Sequence, residues 1–187
     1  MAQSNIFSAS AARSLDDVRY LERCRQGDEA ALSELIARHR TRLTRIAANI
    51  LRDANEAEDV AQESFLKAFR ELSSLRDDRA FSGFIYRICV RLCMDRLRQR
   101  RPEATEFDYV DTTSNTQVEN RIVVHKLLDQ LSPELRTTLV LREMEQLSYE
   151  EISESMNVPV GTVRSRLHAA RDRFRTLWIH ATKDVPA

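Results

Sequence analysis

Positive charge in this chain is carried almost entirely by arginine: of 29 basic residues only Lys67, Lys126 and Lys183 are lysine. A guanidinium is planar, permanently charged, and able to fork onto phosphate oxygens or onto the N7/O6 edge of guanine. Two segments concentrate it. Residues 160–175 hold Arg164, Arg166, Arg171, Arg173 and Arg175 against Asp172; residues 81–101 hold Arg87, Arg91, Arg96, Arg98, Arg100 and Arg101 against Asp95. Immediately before the second segment runs DANEAEDVAQESF, with Asp53, Glu56, Glu58, Asp59 and Glu63. One surface suits nucleic acid and its neighbour suits a basic protein. Covalent and metal chemistry find no footing. His39, His125, His168 and His180 are scattered, and there is no Cys/His ligand spacing, phosphate loop or G-x-S-x-G. No catalytic residue, metal site or cofactor is therefore assigned. Cys89 and Cys93, four apart on a predicted helix, read as small core residues whose backbones the helix holds too rigidly for an easy disulfide. Cys24 is expected nearer the surface, without a role.

The elements that must carry these residues are helices. The 187-residue chain has 3 Gly and 4 Pro among long Ala-, Leu-, Glu- and Arg-rich stretches, too little punctuation for hairpins. An all-α fold of two small helical domains is expected. No apolar run approaches the roughly 20 residues of a spanning helix, and the opening MAQSNIFSASAARS is polar, so a disordered tail over 1–14 and a cytoplasmic protein are expected. The first domain is placed at 15–101. A helix from Leu15 stops at Gly27. Asp28 then caps a long helix to about Leu51, with Leu32, Leu35, Ile36, Leu43, Ile46 and Ile50 at helical spacing. Asp53 or Asn55 starts the next, with Val60, Ser64, Phe65, Ala68 and Leu72 on one stripe. A loop over Ser73–Arg79 and a third helix, Phe81 to about Arg100, follow. In the third helix Ile85, Ile88, Leu92 and Leu97 read as core, with Phe84 and Tyr86 open to either core or contact.

Residues 102–117 read as an acidic, extended linker. The stretch to 119 contains Glu103, Glu106, Asp108, Asp111 and Glu119 with no Lys or Arg. The second domain is placed at 118–180, with a tail over 181–187. Helical periodicity resumes near Val118, and Ser132-Pro133 caps and opens a helix to about Met144. Then comes SYEEISESMNVPVGTVRSRLHAARDRFR. Ser148 and Glu151 form a capping box, Ile152 and Met156 point inward, and Asn157-Val158-Pro159 turns the chain. A second helix starts near Val160 with Val163, Leu167, Ala170 and Phe174 buried. This is a helix-turn-helix whose last helix is core on one face and basic on the other, the form that enters a major groove.

A helix-turn-helix alone leaves repressors, response-regulator output domains and other promoter-binding proteins open. EAEDVAQESFLKAF, FSGFIYRICVRLCMDRLRQRR and the whole of 132–175, in that order, resemble the two conserved regions, 2 and 4, of the small extracytoplasmic-function (ECF, group IV) sigma factors of the sigma-70 family. The resemblance covers about residues 18–178. It implies a promoter-specificity subunit of RNA polymerase without catalysis of its own. Asp59, Gln62, Glu63 and Glu56 would dock on the β′ coiled coil of the core enzyme, which offers its β and β′ subunits as partners. Arg79, Arg87, Arg91, Arg96 and Arg98, with Arg100, would hold the opened −10 strand beside a pocket shaped by Ser73–Arg79. Thr162, Arg164, Ser165, Arg166 and His168 would meet −35 duplex, with Arg171 on phosphate. The family usually has Trp where this chain has Phe84, Asn where it has Arg91, and often a basic residue where it has Ala169.

The resemblance further implies an anti-sigma factor as partner, one able to hold the protein at the membrane without membrane contact of its own. It also implies a linker threading toward the polymerase cleft. The five acids between residues 103 and 119 are expected to weaken DNA binding by the free protein, so neutralising them should raise that affinity. Two other readings stand beside this one. A regulator that binds its operator unaided has no use for the acidic 53–72 helix. A decoy for an anti-sigma protein has no use for arginines on both DNA-facing helices.

Overall fold

The computed structural model describes residues 16–99 and 123–183, and all regular structure in them is helical. Residues 16–25 form α1, which ends at Gly27 with φ 83°, a left-handed conformation that a residue without Cβ adopts readily. Asp28 caps α2 (Glu29–Leu51) by accepting from the Ala30 and Ala31 amides at 3.0 and 3.1 Å. Leu35, Leu43, Ile46 and Ile50 are buried along it, while Leu32 and Ile36 are half-buried. Asp53, rather than Asn55, caps α3 (Ala54–Arg70), taking the Glu56 amide at 3.0 Å. Val60, Ser64, Phe65 and Ala68 then face inward with Leu72 just beyond. The stretch expected as a loop contains two 3-10 turns, Leu72–Ser74 and Asp78–Ala80. Both guanidinium nitrogens of Arg25 donate to Asp78 at 2.6 Å and fasten this stretch to the end of α1.

α4 (Phe81–Gln99) packs against α2 and α3, with Phe81, Ile85, Cys89 and Cys93 fully buried. The two cysteines are core residues, and neither is disulfide-bonded. Tyr86 is core as well, whereas Phe84 and Leu97 are half-buried against it.

Residues 123–129 form α5. Ser132 accepts from the Leu135 amide and Pro133 takes the first position of α6 (Pro133–Leu139). This helix does not run on to Met144 as the periodicity suggested. After Leu139 the chain widens into a π turn over Val140–Met144, the Glu145 amide reaching back to the Val140 carbonyl at 3.2 Å. Gln146 follows at φ 59°. α7 (Tyr149–Met156) and α8 (Val160–Lys183) complete the second unit. α8 is helical to residue 183, so the start of the segment expected as a tail continues the helix. The 1–14 tail, Arg100 and the acidic linker over 102–117 lie outside the described residues.

The two units are docked. α4 packs on α7, and α2 packs on α6 and the π turn. One buried apolar cluster runs from Leu21 and Phe81 through to Leu141, Ile152 and Leu167. Burial of such side chains contributes roughly 1.5–3 kcal/mol each, which is what holds helices of modest intrinsic stability in place.

Candidate nucleic-acid interface

The helix-turn-helix is built from local bonds outward. Ser148 Oγ accepts from the Glu151 amide at 3.1 Å while the Ser148 amide donates to Glu151 Oε2 at 2.7 Å, closing the capping box. Asn157 ends α7 in the left-handed region at φ 52°, and Ser153 Oγ donates to the Val158 carbonyl at 2.6 Å across the turn. The Thr162 and Val163 amides donate to the Pro159 carbonyl at 2.9 and 3.1 Å and begin α8. Val163, Leu167 and Ala170 are buried against α6 and α7. Burying that stripe turns Arg164, Ser165 and His168 outward, with Thr162 and Arg166 half-buried beside them.

Not all of the basic side chains are equally available. Arg171 donates to Glu143 Oε1 from Nε at 3.1 Å and from Nη2 at 2.6 Å, and that bond pushes its pKa up. His168 lies 3.3 Å from Asp172. Arg166 faces the other unit: it lines a polar cleft of about 510 Å3 together with Arg91, Asp95 and Arg98 of α4.

The α4 arginines are likewise engaged. Arg87 Nη1 is 3.0 Å from Glu154 Oε2, and Arg91 Nη2 donates to the Glu154 carbonyl at 3.2 Å, both on α7. Arg96 donates to Glu63 at 3.0 Å, tying α4 to α3, and Arg98 pairs with Asp95 on its own helix. Arg79 is exposed in the 3-10 turn that precedes α4.

On α3, Asp59 and Gln62 are exposed, Glu56 and Glu63 half-buried. Leu66, 53% exposed, follows Asp59 and Gln62 at i+7 and i+4 and so shares their face. The acidic first turn stands at the positive end of the helix, where carboxylates are favoured.

Sequence reasoning passed over a third set. Arg42 Nε and Arg45 Nη2 sit 3.0 and 3.1 Å from the carboxylate of Glu145, whose side chain is 1% exposed. Arg52 Nε pairs with Asp129 at 2.6 Å. Arg42 also lies over the Tyr86 ring at 4.4 Å, and Tyr86 continues inward to His39 Nδ1 at 3.0 Å and from His39 Nε2 to Asp17 at 3.0 Å. The signal for these arginines was present as spacing. Arg38, Arg42 and Arg45 form a basic stripe on α2 beside the apolar stripe, and Arg52 follows as its C-cap.

A groove of about 460 Å3 crosses the second unit, floored by Val124, Leu128, Leu139, Val140, Phe174 and Trp178, with Arg171 and Arg175 at its rim. Among the described residues no group of His, Cys, Asp and Glu is placed to hold a metal ion, and no helix is long and apolar enough to cross a membrane.

An all-helical chain with a helix-turn-helix at one end and an arginine-faced bundle with an acidic helix at the other defines a class of promoter-binding protein. Comparison with known proteins narrows it. The family models for Sigma-70 region 2 and Sigma-70, region 4 match residues 35–103 and 121–174. The RNA polymerase sigma-H factor of Pseudomonas aeruginosa is 38% identical over 174 residues, 83% of this chain and 90% of that protein. The ECF RNA polymerase sigma-E factor of Haemophilus influenzae is 36% identical over 179 residues, 86% and 94% of the two chains. In structure the chain resembles CnrH in complex with the cytosolic domain of CnrY. The TM-score is 0.67 at 23% identity, covering 88% of this chain and 98% of that one. It also resembles the sigma factor RpoE in complex with the anti-sigma factor NepR from Bartonella quintana, with a TM-score of 0.64 at 19% identity over 79% and 96%. The chain belongs to the ECF sigma factors of the sigma-70 family.

Proposed function

We propose that this sigma factor binds bacterial core RNA polymerase and brings it to promoters whose −35 element α8 reads and whose −10 element α4 holds. The observation that carries the reading is the outward set Arg164, Ser165 and His168, fixed by the buried Val163, Leu167 and Ala170 behind a closed capping box. Residues near the start of such a helix meet base edges, while Thr162 and Arg171 suit phosphates. Asp59, Gln62, Glu63 and Glu56 form the acidic face for the β′ subunit, and Leu66 adds an apolar contact at its C-terminal edge. Arg79, Arg87, Arg91, Arg96 and Arg98 serve the −10 strand, Arg87 and Arg91 once α7 has left them. Nucleotide chemistry stays with the polymerase, and no cofactor or metal enters. An anti-sigma factor is the regulating partner, and both structural neighbours were solved with a bound partner. The protein works in the cytoplasm, carried to the membrane only where such a partner is anchored there.

The test is run-off transcription with purified protein and sigma-free bacterial core polymerase on sheared genomic DNA of the source organism. Discrete start sites sharing two upstream motifs, lost with Asp59→Ala plus Gln62→Ala, are expected. Specific duplex binding without polymerase and without start sites would instead mark an operator-binding regulator.

A further inference from the structure

Every ion pair described between the two units has the same polarity. The arginine comes from the first unit and the carboxylate from the second: Arg42 and Arg45 with Glu145, Arg52 with Asp129, Arg87 with Glu154. At these contacts the first unit presents arginines of α2, its C-cap and α4, and the second unit meets each with an acid.

The grip on Glu145 is the most developed of these contacts. Both oxygens of the carboxylate are taken: Oε2 by Arg42 Nε at 3.0 Å and Arg45 Nη2 at 3.1 Å, Oε1 by Arg45 Nε at 3.2 Å and Nη2 at 3.1 Å. Arg42 Nη2 also reaches the Glu145 carbonyl at 3.4 Å. Converging guanidiniums around two anionic oxygens are what a phosphodiester meets in a nucleic-acid groove. The π turn makes this possible. By inserting a wider turn after Leu139 and leaving Gln146 at positive φ, it carries Glu145 out of the helical register and into the cleft against α2.

We propose that Arg42 and Arg45, continuous with Arg87 and Arg91, are a binding site for the sugar-phosphate backbone of single-stranded DNA, and that Glu145 and Glu154 occupy it as intramolecular phosphate mimics while the units are docked. DNA and the second unit then compete for one strip. The free protein holds single strands weakly, and separation of the units uncovers the strip. Arg42 and Arg45 extend the −10 set beyond α4, so the inference rests on the proposed function for the identity of the strand, though not for the competition itself.

The experiment uses the full chain without polymerase, a fluorescein-labelled oligo-dT of 20 nucleotides as probe, fluorescence anisotropy for affinity and small-angle scattering for the separation of the units. Glu145→Gln keeps shape and removes charge. It is expected to enlarge the radius of gyration and tighten single-strand binding about tenfold. The salt slope should steepen by about 1.4, the value for two more phosphates at about 0.7 each on a single strand. Adding Arg42→Ala and Arg45→Ala to Glu145→Gln is expected to abolish the gain while the units stay apart. Glu154→Gln, at an exposed position that leaves folding alone, is expected to tighten binding about threefold, reversed by Arg87→Ala. Units that part with no gain in affinity, a gain that survives loss of both arginines, or no response to either glutamine would overturn the proposal. Failure of the run-off assay above with these binding results intact would strike the sigma reading and leave the competition standing.

Discussion

Arg42 and Arg45 hold the same carboxylate, yet Arg42 is also stacked on the Tyr86 ring at 4.4 Å and is 34% exposed, against 56% for Arg45. Arg45, more than half exposed, adds roughly 0–1 kcal/mol, because water screens it, its long side chain must be ordered, and Arg42 still neutralises the buried carboxylate without it. A cation over a desolvated aromatic face contributes about 1–2 kcal/mol beyond that. Arg45→Ala should therefore lower the stability of the full chain by under about 1 kcal/mol, and Arg42→Ala by about 2 kcal/mol. Urea denaturation followed by circular dichroism separates the two. Equal losses would mean that the carboxylate alone, and not the ring, sets the value of the contact.

What was legible here follows from how local each feature is. Asp28 as cap, the Ser148–Glu151 box and the inward Cys89 and Cys93 are each decided within about one helical turn, and short-range pattern carries them, whereas it left Asp53 and Asn55 both open. The outward face of α8 follows from its buried stripe by geometry alone. The Arg42–Glu145 contact depends on how two units dock, joining residues 103 positions apart, and no periodicity records that. The π turn escaped for a related reason. Val140 and Leu141 are apolar and buried and fit a continuing α-helix by type, so nothing in their pattern marks the wider turn. The 3-10 turns around Arg76 escaped because their polar residues read equally as loop; what orders Asp78 is Arg25, far away in sequence.

Gly27 and Gln146 share the left-handed region but not its consequences. At Gly27, φ is 83° and an added Cβ would meet nothing within 4 Å, so Gly27→Ala tests conformation without a clash. It should destabilise by about 1–2 kcal/mol, the cost of that region for an L-residue, lowering Tm by roughly 2–8 °C in a chain of this size. Gln146→Gly relieves the same strain at φ 59° but adds chain entropy to the unfolded state and forfeits the bond from Gln146 Nε2 to the Glu143 carbonyl. Its Tm should stay within about 2 °C of the parent. Calorimetry on both variants checks the contrast.

Asp78 and Cys93 contribute at opposite ends of the pH profile. The Arg25 guanidinium holds Asp78 below its usual 3.8, so stability from that pair is present above pH 3.8 and falls as pH drops through the lower folded value. Asp78→Asn should flatten that part of the acid limb. Cys93 is pushed well above 9.0 by its hydrogen bond with Cys89 and by burial. The unfolded thiol releases its proton first, near pH 9.0, so stability falls as pH rises from there toward the folded value. Cys93→Ser should lessen this alkaline fall, because a hydroxyl does not titrate there, while the raised Tyr86 and Cys24 keep part of it. Denaturation midpoints between pH 3 and 10.5 read both limbs. In native protein at pH 8, Cys24 should react with a thiol reagent and Cys89 and Cys93 should not, since only Cys24 is partly accessible.

On α8, Arg164 and Arg171 separate base reading from backbone holding. Arg164 is exposed near the start of the helix, where a side chain reaches base edges. Arg171 lies two turns further on, donating twice to Glu143. Arg164→Ala should cost promoter affinity about 1–3 kcal/mol and relax preference at one −35 position, because a forked contact to guanine has no substitute. Arg171 must break its pair before it can serve a phosphate. Glu143→Gln should therefore raise duplex affinity equally for specific and random sequence and steepen the salt slope by about 0.9, one phosphate on duplex DNA. Arg171→Ala should undo both changes in that background. Anisotropy titrations of holoenzyme on promoter and scrambled fragments between 50 and 200 mM salt distinguish these outcomes. A Glu143→Gln gain confined to promoter DNA would move Arg171 from the backbone to a base.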